Sequence, residues 1–193
     1  PRRAAPFGAT MRLHAAAGFG NLLTLLMLDT RQYRSPHACP PAGRRGSSRL
    51  DPTTCPELDA STRTLLGARQ EAWLGAQLER SRARWNLLAH GLVLSNNNEA
   101  VLPERRYWTD AWNGYPAARD RLLRQIEASR ARNPVALGGD IHAFAASNLH
   151  RLPEDLSSPI VATELVTTSI SSEGTPVSLL ESHKRSNPAM LFG

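Results

Sequence analysis

The sequence predicts an α/β fold. Strand-length apolar runs alternate with stretches whose apolar residues recur at helical spacing, and Pro- and Gly-rich joins separate the two. The 193 residues suit one domain, and a hydrophobic content of 41% is enough to build a core. No apolar run approaches the roughly 20 residues that a membrane-spanning helix requires.

The first strand is expected in "GNLLTLLMLDTRQYR", ending near Asp29 and Arg31. A Pro-, Gly- and Arg-rich loop follows, from Ser35 to about Ser61. It is long for a structureless connection, so it is either functional or pinned. From Leu65 to Arg84 the apolar positions Leu66, Trp73, Leu74 and Leu78 fall on one helical face, with Arg69, Glu71, Glu79 and Arg82 off it. "WNLLAHGLVLS" reads as the next strand. Pro116 suits the first turn of a second helix, along which Ala118, Leu122 and Ile126 recur every four residues. "NPVALGGD" and "SPIVATELVTTSIS" read as two further strands, and the tail after them has no clear closing element.

The net charge of +6 comes almost wholly from arginine, Lys184 being the one lysine. These arginines are scattered rather than set in a stripe, so no specific nucleic-acid recognition is expected. Cys39 and Cys55 share the long loop, with no histidine beside them at zinc-finger spacing. A disulfide and two unrelated thiols both remain open. Pro1–Arg2–Arg3 is basic, but no continuous apolar core of signal-peptide length follows it.

Asp140 and His142 stand just past an apolar run and two glycines. If the chain stays extended there, residues two apart face the same side. Carboxylate oxygen and imidazole nitrogen together suit zinc, iron or manganese. Strand ends are also where open α/β sheets place their sites. The plainer alternative is a turn-capping Asp140 and a half-buried His142. Arg31, at a strand end, offers fork geometry for a phosphate; it could equally pair with Asp29 or another carboxylate.

Seven stretches, in one order, carry a resemblance. They are "LDTRQYR" (Leu28 to Arg34), the cysteine-bearing loop, "LLGARQEAWL" (Leu65 to Leu74), "ARWNLLA" (Ala83 to Ala89), "WNGYPAARDRLL" (Trp112 to Leu123), "NPVALGGDIHAF" (Asn133 to Phe144) and "IVATELVTTSISSEG" (Ile160 to Gly174). The chain thereby resembles the PhoD-like alkaline phosphatases and phosphodiesterases, within the calcineurin-like metallophosphoesterase superfamily. The resemblance implies a metallophosphoesterase-type β-sandwich flanked by helices, hydrolysis of phosphoesters, and a metal centre of iron and calcium. It assigns metal ligation to Asp140 and His142. It also implies secretion, with any signal upstream, and that residues 1–193 are the C-terminal portion of one catalytic domain whose N-terminal half is absent. The substrate would be a small or polymeric phosphoester, and the oligomeric state is left undetermined.

Two positions depart from the family pattern. A glutamine pair after the Trp-Asn strand is replaced by His90–Gly91, and an acid before Gly114 is replaced by Asn113. An amide holds a hard cation less well than a carboxylate, although Asp and Asn both suit turns. His14, a lone histidine among alanines, and the hydroxyls from Thr168 to Ser172 are weaker candidates for the site. The expected function is phosphoester hydrolysis by a centre incomplete in this chain. The alternatives are a non-catalytic remnant lacking a complete metal centre and an Arg-rich binding domain.

Overall fold

The computed structural model describes residues 11–192. Seven strands form one sheet in the order β1–β2–β4–β6–β8–β7–β9: β1 (Ala15–Phe19), β2 (Leu23–Met27), β4 (Trp85–Ala89), β6 (Pro134–Gly138), β7 (Ala145–His150), β8 (Ile160–Val166) and β9 (Met190–Phe192). β2, β4, β6 and β8 run parallel, while β1, β7 and β9 are antiparallel to their neighbours. β3 (Arg49–Leu50) and β5 (Tyr107–Trp108) form a separate two-stranded ribbon. The α/β class is therefore observed. Of the expected sandwich, the described residues form one large sheet with helices on a face.

Two helices connect the parallel strands. α1 (Ala68–Arg80) follows Gly67, whose φ of 76° suits a residue without a side chain, and α2 (Pro116–Ala128) begins on the proline read as its first turn. α1 is shorter than the periodicity suggested, although Leu66 just ahead of it is buried in the same core. Leu74 and Leu78 of α1 and Ala118, Leu122, Leu123 and Ile126 of α2 pack on the sheet residues Leu26, Leu88, Ala136 and Ala162. These four alternate with Leu25, Leu87, Val135 and Thr163, which form a cross-strand row on the other face and are only half-buried.

The tail is more ordered than its sequence suggested. It forms α3 (Val177–Ser186) and β9. β1, β7 and the short ribbon were also not legible, being Ala-rich, polar-mixed or two residues long. The loop after Ser35 is pinned. Cys39 and Cys55 are joined by a disulfide, and Ala38, Cys55, Leu58 and Tyr107 make a small core of their own beneath it. Closing a loop of 16 residues should stabilise the chain by roughly 3 kcal/mol, mostly by restricting the unfolded state. Urea unfolding with and without reductant measures this. Coincident curves from protein whose oxidised mass is two hydrogens lighter would show that the bridge contributes nothing.

Candidate active site

Because β2, β4 and β6 are parallel neighbours, their C-terminal ends share one edge of the sheet. Asp29 and Thr30 follow β2, His90 follows β4, and Asp140 and His142 follow β6. This is the edge where open α/β sheets place ligands.

Asp140 and His142 are not extended, contrary to expectation. β6 ends at Gly138, and the two residues have φ of 79° and 54°, both left-handed. The glycines explain the exit. A Cβ on Gly138 would lie 2.5 Å from the Leu92 carbonyl oxygen, so only a bare backbone passes there before the chain bends. The bend is strapped from outside: Thr175 N–H donates to the His142 carbonyl at 2.9 Å, and Thr175 Oγ1 donates to the Ile141 carbonyl. His142 Nδ1 lies 3.2 Å from the Glu173 carbonyl oxygen. A carbonyl only accepts, so Nδ1 is the donor, which in the neutral ring leaves the lone pair on Nε2. Both side chains are exposed and line one cavity of about 540 Å³.

The same cavity is lined by Asn97, Glu99, Trp108, Asp110 and His183, none of which the sequence singled out. Asn97 is buried, and its Oδ1 has no hydrogen-bond partner. Glu99 is tied to Arg49. Asp110 accepts from Arg31 Nη1 at 2.6 Å, from Arg34 Nη1 and from His37 Nε2 at 2.9 Å. Burial alone would raise its pKa, but the hydrogen bonds from Arg31, His37 and Arg34 outweigh this and hold it at about 2. Arg31 therefore reaches the site through Asp110. Only its backbone N–H bonds Asp29, whose carboxylate also caps Gln32. The Arg31 side chain is half exposed, and among the described residues its guanidinium donates only from Nη1.

The two departures from the family pattern take structural positions. His90 is buried. Its Nδ1 accepts from Trp112 Nε1 at 3.4 Å, Nε2 has no partner, and burial lowers its pKa to about 4. Asn113, also buried, accepts from Arg119 Nη1 through Oδ1 and donates from Nδ2 to the Asn97 carbonyl at 2.9 Å. The hydroxyls after β8 stay apart; Ser169 Oγ donates to the Ser172 carbonyl. His14 lines a different, larger cavity of about 660 Å³ with Arg12, Tyr33 and Trp73. That cavity has no carboxylate on its wall, so the smaller one is the better place for a cation.

Among the described residues, no three His, Cys, Asp or Glu side chains gather as a metal-binding group. The donors that line the smaller cavity are nevertheless of the right kind. They are an Asp140 carboxylate with no hydrogen bond among the described residues and an imidazole with its lone pair turned away from its carbonyl partner, with the buried Asn97 amide on the same wall. They fit a cation held in part by this chain.

The sequence model of the family described as PhoD-like phosphatase matches residues 1–192. Alkaline phosphatase D of Bacillus subtilis (strain 168) is 40% identical over 169 residues, which are 88% of this chain and 28% of that protein. A solved structure of PhoD superposes with a TM-score of 0.85 at 36% identity, covering 98% of this chain and 35% of that one. The chain thus spans about a third of the length of the relatives it matches. These matches do not bear out the expected placement in the C-terminal portion of the domain. The ordered sequence blocks, the parallel sheet that carries Asp140 and His142 at its edge and the superposition agree, and the chain belongs to the PhoD-like phosphatase family.

Proposed function

We propose that the chain contributes to metal-dependent hydrolysis of phosphate esters, of the monoester or diester class, with Asp140 and His142 as metal ligands and Arg31 as a phosphate contact. The observation that carries this reading is that one cavity is lined by an Asp140 carboxylate with no hydrogen bond among the described residues and by a His142 whose Nδ1 is fixed by the Glu173 carbonyl. Such a backbone acceptor behind a ligating histidine fixes its tautomer and raises its basicity. Iron and calcium are the metals proposed. Imidazole suits the first and oxygen donors the second.

When bound, such a cation stabilises charge on a phosphoryl oxygen and acidifies a water. The chain's own residues do the rest. Asp140 and His142 fix the cation at the sheet edge, and the Thr175 strap holds their bend. The exposed part of the Arg31 guanidinium binds phosphate oxygens, held by Asp110, which itself lines the cavity. The disulfide supports an extracytoplasmic setting. No described helix is long and apolar enough to cross a membrane.

Two protein ligands are fewer than the three typical even of a catalytic zinc site, so the centre proposed here draws on further donors. The test is metal content and turnover of p-nitrophenyl phosphate and its bis-ester, with iron and calcium supplied. Asp140→Ala and His142→Ala should each lose bound metal while circular dichroism is unchanged. Turnover by the 193-residue chain should fall below about a tenth of that of a longer relative, a barrier difference of at least ~1.4 kcal/mol. Full metal content in both variants would refute ligation, and turnover equal to the relative's would refute incompleteness.

A further inference from the structure

We infer that Asn97 is a further oxygen donor to the cation at the Asp140–His142 site, and that Asn113 is the residue that positions it. The inference rests on the metal-site reading above and adds to it.

Asn97 is 7% exposed, and its side chain makes no hydrogen bond among the described residues. An amide buried without a partner costs about 1–3 kcal/mol, so such a group calls for a compensating ligand. Asn96 also has an unpartnered Oδ1, but it faces a different and far smaller cavity, whereas Asn97 lines the one that holds Asp140 and His142. As placed, Oδ1 has no accessible surface, and a half-turn of the terminal amide, which exchanges oxygen for nitrogen, is what presents the oxygen to the cavity. A carbonyl-type oxygen of this sort is an ordinary ligand for a hard cation such as calcium.

The backbone around Asn97 is fixed on every side. Leu94 N–H and Ser95 N–H donate to the Glu164 carboxylate at 2.6 and 2.8 Å. Asn98 N–H donates to Asn187 Oδ1 at 2.6 Å, and Asn98 Oδ1 accepts from Arg106 N–H. The Asn97 carbonyl itself receives Asn113 Nδ2. Asn113 therefore needs one face that donates, to Asn97, and one that accepts, from Arg119. The amide offers both, and a carboxylate does not. The acid that the family pattern has at this position would set a carboxylate against the Asn97 carbonyl. The asparagine at position 113 is thus suited to holding residue 97 rather than a cation.

Terbium(III), an oxygen-seeking ion whose luminescence is sensitised by nearby indole, probes the site directly. Trp108 lines the same cavity. Titration of the 193-residue chain should give sensitised emission. Lifetimes in light and heavy water count the water molecules on the bound ion. Asn97→Ala should add a coordinated water and weaken binding roughly tenfold, the size expected when part of a ligand shell is removed. Asn97→Asp should restore the lower water count and bind at least as tightly as the unsubstituted chain. Asn113→Asp should weaken binding without removing a donor. If Asp140→Ala abolishes emission while Asn97→Ala leaves both affinity and water count unchanged, the role of Asn97 is wrong and the site stands. If emission survives in Asp140→Ala and His142→Ala, or never appears in the unsubstituted chain, the metal-site reading itself is wrong.

Discussion

Alanine at position 164 lowers the unfolding free energy by about 3 kcal/mol, the largest loss expected from any one substitution at the site's support. Glu164 lies in the middle of β8 with no exposed surface, and its carboxylate accepts the Leu94 and Ser95 N–H groups. Removing it strands two buried donors at once and takes away an anion that the buried Arg119 feels. Burial raises the Glu164 pKa, and the two backbone donors only partly counter this. A glutamine there keeps the volume and one good acceptor, so it should cost roughly half as much. Chemical denaturation of the two variants measures the difference. The segment carrying Asn97 should also lose amide-exchange protection selectively in Glu164→Ala. Equal stability of all three proteins would show that those N–H groups find other partners.

Acidification from pH 6.5 to about 4 destabilises the chain through His90, by up to about 3 kcal/mol. The folded pKa is depressed, so within this window the unfolded chain binds a proton that the folded one refuses, and stability falls as pH falls. The cause is burial, beside an Nδ1 already committed as acceptor to Trp112. His90→Gln keeps an acceptor for the indole and cannot titrate. Glu164, with its raised pKa, acts in the opposite direction, but it is present in both proteins and cancels in the comparison. The stability gap between His90→Gln and the unsubstituted chain should therefore widen in favour of glutamine as pH drops through the window. A gap that stays constant would mean that His90 does not titrate differently on folding.

Much of the sheet was legible because parallel strands covered by helices are near-continuous apolar runs. β2, β4 and β6 all read that way. α2 announced itself through Pro116 and an apolar period of four. β7 did not, because "AASNLH" has neither a run nor an alternation, and it exists through its pairing with β8. Asp140 and His142 could be found from their chemistry. Their left-handed bend could not, since it follows from Gly138 threading past the Leu92 carbonyl and from the Thr175 strap, both distant in sequence. Asn97 gave no local signal at all. Its isolation is visible only once Glu164, Asn187 and Asn113 have closed around it.

The Asp110 carboxylate is shared by three donors from one short stretch, Arg31, Arg34 and His37. Such an arrangement buffers mutation unequally. Loss of Arg31 leaves two donors in place, and its own pair is half exposed, so the fold should hardly register the change. Loss of Asp110 releases all three at once. Effects of the donors should then be more than additive in pairs, and loss of the acceptor should exceed the sum of the single donor losses. Drift among descendants can sample the spokes and not the hub. The same asymmetry makes Arg31 a rare kind of position beside the candidate site, where a change in ligand binding can be read without first subtracting a change in folding.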